Sequence, residues 1–118
     1  MTYAVLHIPL PPSLNNIFYN RPHGGRGKTT DYKNWRDAAA WEIRSQRPPI
    51  IKGEVRVDLT IERPNAASDL DNRIKAVLDS LQAAGVIEND RSVIEIAARW
   101  GDVKGCTIVV GSAEKVAA

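Results

Sequence analysis

The sequence predicts an α/β (α+β) fold in which a mixed β-sheet carries helices packed on it. Residues 54–62 alternate between apolar and polar side chains without exception, which is typical of a half-buried strand. Between Ile74 and Leu81, apolar side chains recur at i, i+3, i+4 and i+7, which is typical of a helix with one buried face. The chain has 118 residues and no internal repeat or linker, so we expect residues 1–118 to form one domain.

The same two periodicities give six elements in the order β-α-β-α-β-β. The predicted elements are strand 3–8, helix 31–46, strand 54–62, a helix from residue 74 to near residue 85, strand 92–100 and strand 106–110. Residues 9–12 are rich in proline and end the first strand. We expect residues 20–30 to form a long loop, and residues 101–105, which include two glycines, to form a hairpin loop.

The composition excludes several classes of protein. A single cysteine, Cys106, excludes an internal disulfide framework, and its β-branched neighbours predict a buried thiol. Gly27-Lys28-Thr29 resembles the end of a phosphate-binding loop, but Pro22 stands where that pattern needs a glycine. The sequence has neither a secretory signal nor an apolar run of membrane-spanning length. We therefore expect a cytoplasmic protein that does not act at a membrane.

The charges are unevenly distributed along the chain. Residues 1–56 hold nine Lys and Arg against four Asp and Glu, whereas residues 57–118 hold seven against ten. A basic first half and an acidic second half suit a protein that binds a polyanion with one part and a metal ion with another. Chance asymmetry in a small domain gives the same pattern, so charge alone leaves both explanations open.

Four residues between positions 69 and 90 are candidates for chemistry. Asp69 and Asp71 are two residues apart, Lys75 follows four residues after the second acid, and Asp90 lies in a turn beyond the helix. Carboxylate oxygens suit Mg²⁺ or Mn²⁺, and a lysine stabilises charge on a phosphate. Taken singly, these residues are also typical of helix caps, a turn and a solvated helix position. Together they favour a metal site, because three converging carboxylates need a cation, a shared proton or costly repulsion.

A basic segment precedes the first predicted helix. Arg21, Arg26 and Lys28 are interleaved with glycines and flanked by Tyr19 and Tyr32. Mobile basic loops bind the phosphate backbone of nucleic acids and become ordered on contact. A plain solvated loop is the alternative.

The chain resembles the RusA family of Holliday-junction resolvases, which are small Mg²⁺-dependent endonucleases often carried by prophages. The family motif is Asp-Leu-Asp-Asn, a lysine four residues after the second Asp, and an Asp in a turn after the following helix. The matching positions here are Asp69-Leu70-Asp71-Asn72, Lys75 and Asp90. The segment Pro11-Pro12-Ser13-x-Asn15-Asn16 and the helix with Tyr32 and Trp35 also match. The resemblance spans residues 3–110.

The resemblance implies a function and a set of site residues. Asp69, Asp71 and Asp90 would be metal ligands for Mg²⁺, with Mn²⁺ as a substitute, and Lys75 would be the catalytic lysine. The substrate would be branched DNA, above all four-way junctions, in recombination and repair. The predicted DNA contacts are Arg21, Arg26, Lys28 and Arg73. Family members can carry arginines just before the motif, whereas residues 64–68 are neutral here, which bears on junction affinity and sequence preference.

Two other classes of function remain open from the sequence: a non-catalytic DNA-binding module and a structural protein of a phage or prophage. Lys75 and Asp90 favour the enzyme, because neither alternative needs them. The resemblance also implies a homodimer with one active site per subunit. Three tryptophans in so small a chain support an interface weakly, since aromatic residues are enriched at interfaces, although burial within the monomer is their default.

Overall fold

The computed structural model describes residues 2–14 and 18–113, and within them the chain forms six strands and two α-helices. The elements are β1 (Tyr3–Ile8), β2 (Phe18–Asn20), β3 (Arg26–Lys28), α1 (Thr30–Ser45), β4 (Val55–Ile61), α2 (Ile74–Ala83), β5 (Val93–Trp100) and β6 (Cys106–Ser112). Two short 3₁₀ turns, Asp71–Arg73 and Asp90–Ser92, precede α2 and β5. The predicted single α+β domain with a mixed sheet and two helices is confirmed. Asn15 and Asn16, part of the resemblance to the family, lie outside the described residues.

A four-stranded sheet in the order β1-β6-β4-β5 forms the centre of the fold. β4 pairs with β5 in parallel and with β6 antiparallel, and β1 pairs antiparallel with β6. The strict alternation in β4 is confirmed, because Val55, Val57, Leu59 and Ile61 are all buried. One face of the sheet packs with α1 and α2 around the hydrophobic core, and the helices therefore lie on a single side.

The prediction of a hairpin between the last two strands is wrong. β4 lies between β5 and β6, so residues 101–105 cross the end of β4. The crossing segment is bonded to that end: Gly101 N donates to Ile61 O (3.0 Å), and Glu62 N donates to Gly105 O (2.9 Å). Strands that are close in sequence, such as β5 and β6, usually pair with each other. The five residues between them reach roughly 16 Å, however, which is enough to cross one intervening strand at spacings of about 4.8 Å. β4 thereby takes an interior position in the sheet with a partner on each side.

The predicted loop at residues 20–30 contains a two-stranded hairpin formed by β2 and β3. Its turn is closed by Arg21 N, which donates to Gly25 O at 3.0 Å. Gly24 and Gly25 have φ values of 99° and 78°, a region that only glycine enters at low cost. The glycine pair is a signal for a tight turn that the prediction of a loop passed over. The predicted order therefore gains two short strands between the first strand and the first helix.

Two local features position α1 against the sheet. The helix is capped by Thr29, whose Oγ1 accepts a hydrogen bond from Tyr32 N at 3.2 Å. At the other end, the Gln46 side chain accepts from His7 N (2.8 Å) and donates to His7 O (2.7 Å), which ties the helix to the edge strand β1.

Cys106 confirms the predicted buried thiol. It is fully buried in β6, and burial raises the pKa of its thiol to about 12. In residues 2–14 and 18–113, neither helix is both long and apolar enough to cross a membrane.

Candidate active site

The four candidate residues lie on the connection that joins β4 to β5 through α2. Asp69 is in the loop after β4, and Asp71 begins the 3₁₀ turn that runs directly into α2. Lys75 is in the first turn of α2, and Asp90 begins the 3₁₀ turn before β5. Because β4 and β5 are parallel, the chain must cross over between them, and all four residues lie on this crossover connection around α2.

The structure brings Lys75 and Asp90 into direct contact. Lys75 Nζ donates to Asp90 Oδ2 at 3.0 Å and to Asp79 Oδ1 at 2.8 Å, so one ammonium bridges two carboxylates. The Lys75 side chain is 44% exposed. The hydrogen bond that Lys75 donates to Asp79 is the largest cause that raises the pKa of Lys75; partial burial opposes this shift, and Asp90 adds to it. The lysine is therefore held in its charged form at the mouth of the site.

Asp90 is held by its own turn and by α2. Asn89 Oδ1 accepts from Arg91 N at 3.1 Å and caps the turn, and Asp90 N donates to Gln82 Oε1 at 3.2 Å. One carboxylate oxygen of Asp90 contacts Lys75, whereas the other, Oδ1, is buried and has no hydrogen-bond partner in the structure. A buried carboxylate oxygen without a partner costs free energy, and a bound cation is a partner that would satisfy it.

Asp69 and Asp71 differ from Asp90 in their surroundings, since both are exposed. Asp69 Oδ2 accepts from Asn72 Nδ2 at 3.3 Å. Neither the 3₁₀ turn nor α2 has a side-chain hydrogen bond at its N-cap, so the alternative in which these acids cap the helix is not supported.

The three aspartates fit a metal ion in chemistry but do not form a closed cage. Their carboxylate oxygens are the ligands that Mg²⁺ and Mn²⁺ prefer, and Asp90 has an oxygen without a partner. Within residues 2–14 and 18–113, however, no group of three or more His, Cys, Asp or Glu side chains is close enough to hold a metal ion. One metal site built from Asp69, Asp71 and Asp90 therefore stays a prediction.

The sequence did not predict two residues of this site, Asp79 and Tyr32. Asp79 binds Lys75 through Oδ1 and accepts the hydroxyl hydrogen bond of Tyr32 through Oδ2. Tyr32 is 1% exposed, and burial together with Asp79 raises the pKa of its phenol. The i, i+4 spacing of Lys75 and Asp79 was a visible signal for their contact. No sequence spacing links Tyr32 to Asp79, because they lie on different helices.

The predicted DNA-contacting residues fall into two groups. Arg21, Arg26 and Lys28 lie on the β2–β3 hairpin. Lys28 Nζ is 5.5 Å from the centre of the Tyr32 ring, whose hydroxyl binds the acidic cluster, that is, Asp79 and Asp90 around Lys75. Arg73 is elsewhere: its Nη1 donates to Pro11 O at 2.7 Å. That contact gives Arg73 a structural role in holding the segment after β1, and its contact with DNA stays a prediction.

Comparison with known proteins identifies the family. The sequence profile described as Endodeoxyribonuclease RusA matches residues 9–111. The chain belongs to the RusA endodeoxyribonuclease family. It is 38% identical over 92 residues to a protein named Crossover junction endodeoxyribonuclease RusA from Aquifex aeolicus (strain VF5), which covers 75% of this chain and 71% of that relative. This RusA-family chain is therefore an enzyme, an endodeoxyribonuclease, and the site around Lys75 and Asp90 is its candidate active site.

Proposed function

We propose that this RusA-family enzyme resolves four-way DNA junctions by Mg²⁺-dependent hydrolysis of two phosphodiester bonds, in DNA recombination and repair. The observation that supports the proposal best is the pairing of Lys75 with Asp90, whose second carboxylate oxygen is buried without a partner. A charged donor beside an unsatisfied carboxylate is a suitable arrangement for phosphate chemistry, and it occurs in a chain whose family cuts DNA.

Each acidic residue has a role in the proposal. Asp69, Asp71 and Asp90 would hold Mg²⁺, with Mn²⁺ as a substitute, once the exposed pair closes on Asp90. The bound metal supplies an activated water and stabilises negative charge on the phosphate. Lys75 presents its ammonium to the scissile phosphate, where it offsets the charge that develops in the transition state.

The hairpin supplies the contacts with the phosphate backbone. Arg21, Arg26 and Lys28 lie on one short β-ribbon that is adjacent to Tyr32 and hence to the acidic cluster. A basic hairpin beside a group of carboxylates draws the polyanion towards the metal ligands while it offsets their repulsion of phosphate. Arg73 adds a further backbone contact in the proposal, next to Asp71.

A homodimer provides the second cut. A four-way junction yields two intact duplexes only when two strands are cut at symmetric places, and each chain carries one candidate site. Closed two-fold dimers are the commonest oligomers and supply the second site without a new domain. The three tryptophans, which supported an interface weakly, differ in burial: Trp35 and Trp100 pack against the monomer core, whereas Trp41 is 67% exposed.

The sheet face that carries no helix is the surface that we propose for the dimer. Tyr3, Val5 and Val109 point out of this face and are exposed, and Val5 and Val109 are paired neighbours. Beside them, Arg56 pairs with Glu95 (3.8 Å). A second pair, Asp58 and Arg99 (2.6 Å), lies on the same face. A surface with apolar residues and charges of both signs is complementary to itself across a two-fold axis.

The test is cleavage of a synthetic four-way junction, with a linear duplex of the same sequence as control, in Mg²⁺ and in EDTA. The proposal expects symmetric nicked duplexes from the junction in Mg²⁺ and none in EDTA. Cleavage of the linear duplex at the same rate would contradict junction resolution. Junction binding without cleavage in either Mg²⁺ or Mn²⁺ would indicate a binding module instead.

Sedimentation tests the dimer. At micromolar concentration we expect roughly twice the 13.0 kDa chain mass. Val5→Glu should shift the protein towards the monomer because it places a charge in the apolar patch, whereas Trp41→Glu, which alters an exposed apolar residue on α1, should not. A monomeric wild type that cuts one strand per binding event would rule out paired cleavage.

A further inference from the structure

Lys75 is shared between two carboxylates that differ in their surroundings. Asp90 is a proposed metal ligand, and its side chain is 31% exposed. Asp79 is only 10% exposed, lies closer to the ammonium at 2.8 Å, and has its other oxygen occupied by the Tyr32 hydroxyl. A cation that engages Asp90 repels the ammonium beside it, so Asp79 is the acceptor that remains for Lys75.

We propose that Asp79, held by Tyr32, is a positioning residue that keeps the Lys75 ammonium at the active site independently of Asp90. The inference rests on the proposed role of Lys75 in cleavage. Asp79 acts through the lysine and does not itself contact the substrate.

The geometry of the pair favours a functional explanation over a purely structural one. In an isolated helix, an acid that precedes a lysine by four residues is the better order, because it suits the helix dipole. Here Lys75 comes first and Asp79 follows, and the carboxylate is largely buried, which costs desolvation. Helix stability alone therefore does not explain why a buried Asp79 follows Lys75, whereas a role in holding the Lys75 ammonium does.

Tyr32 makes the anchor rigid. It lies in the first turn of α1, is 1% exposed, and stacks on Trp35 with ring centres 6.3 Å apart. Its hydroxyl binds Asp79 across the interface between α1 and α2. Because packing fixes the Tyr32 ring, the hydroxyl fixes the rotamer of Asp79 and thereby the position of Lys75 Nζ.

The experiment is a double-mutant cycle with Asp79→Asn and Lys75→Ala, measured by single-turnover junction cleavage at saturating enzyme. Alone, Asp79→Asn should lower the rate by on the order of tenfold with junction affinity unchanged. In the Lys75→Ala background it should have no further effect, because an anchor without its lysine has nothing to position. Asp102→Asn, which neutralises an exposed aspartate in the segment between β5 and β6, is the matched control.

Metal binding gives a readout that does not depend on cleavage. Without Asp79, Lys75 pairs with Asp90 alone and competes more strongly with a cation. Calorimetric titration of DNA-free protein with Mn²⁺ should therefore show several-fold weaker binding for Asp79→Asn than for wild type. It should show equal binding for Lys75→Ala and the double variant. Tyr32→Phe keeps the ring and should give a smaller effect in the same direction.

The outcomes separate this inference from the proposed function. If Asp79→Asn lowers the cleavage rate by the same factor in the wild-type and Lys75→Ala backgrounds, Asp79 does not act through the lysine and the inference is overturned. Wild-type cleavage by Asp79→Asn would also overturn it. If Asp79→Asn fails to fold in a thermal melt, Tyr32→Phe carries the test alone, and wild-type cleavage by it would overturn the role of the anchor. A wild type that neither cuts junctions nor binds Mn²⁺ would refute the proposed function instead.

Discussion

The acidic residues before α2 differ in their surroundings from those within it and after it. At the start of the helix, Asp69 and Asp71 are exposed, and Asp69 has only a weak contact with Asn72 at 3.3 Å. Lys75 in the first turn, Asp79 in the middle of the helix and Asp90 beyond its end form a connected cluster, which contacts α1 through Tyr32. The half of the candidate site around Lys75 is therefore organised by contacts within the fold, whereas the half at Asp69 and Asp71 is exposed to solvent. If the three aspartates hold a metal ion as proposed, binding of the ion would complete the site.

The largest expected effect comes from the aspartates. If the three aspartates hold the metal ion as proposed, Asp69→Asn, Asp71→Asn or Asp90→Asn should each lower junction cleavage by on the order of a hundredfold or more. Junction binding should stay intact or become tighter, since a carboxylate without metal repels phosphate. Cleavage rates and gel-shift affinities measured on the same protein provide the check. Wild-type turnover by Asp69→Asn would confine the site to the organised half.

Lys75 should have the next largest effect. Lys75→Ala is expected to lower the cleavage rate by on the order of tenfold, with little change in affinity, if its charge acts in the transition state. Lys75→Arg should restore activity only in part, because the guanidinium is larger and planar and does not fit between Asp79 and Asp90 in the same way. Weak binding with normal cleavage by Lys75→Ala would reassign the lysine to a backbone contact.

The hairpin should alter binding more than chemistry. Replacing Arg21, Arg26 and Lys28 together by alanine is expected to weaken junction binding and to reduce the slope of log K against log salt by roughly one unit for each phosphate that the hairpin no longer binds. Titrations at several salt concentrations measure that slope. An unchanged slope would show that the hairpin does not contact DNA.

The smallest expected effects are on the free energy of unfolding, and they distinguish the exposed half of the site from the half around Lys75. Asp69→Asn should change the free energy of unfolding by less than about 0.5 kcal/mol, because the residue is exposed and makes one weak contact. Asp79→Asn should cost roughly 1–3 kcal/mol, since it disturbs a largely buried group with two partners. Urea denaturation of both variants gives the comparison. Equal costs would mean that the two halves are equally organised.

The sequence was informative where the signal is local. Strict alternation located β4, and the 3.6-residue period located α2, because each depends on one buried face. The spacing of Asp69, Asp71, Lys75 and Asp90 around one helix was the main signal for the family, supported by residues 11–16 and by the first helix. Each of these features is contained within about twenty consecutive residues.

What the sequence did not reveal depends on tertiary packing. The insertion of β6 between β1 and β4 follows from which strands bury best in the interior, and adjacency along the chain pointed to a different pairing. The hydrogen bond between Tyr32 and Asp79 joins two residues that are 47 positions apart and lie on different helices. Arg73, predicted as a DNA contact, faces Pro11, because a carbonyl from the segment after β1 reaches it.

The position of β1 has a consequence for how the protein acquires its structure. Within the described residues, β1 pairs along the sheet with β6 alone, and Tyr3 lies opposite Gly111 across more than a hundred residues of chain. β6 is also the strand that links β1 to β4. During synthesis the first strand therefore stays unpaired until β6 has left the ribosome. Pairing over such separations slows folding, so nascent chains of this enzyme expose an apolar strand edge for longer than helical proteins of the same size do.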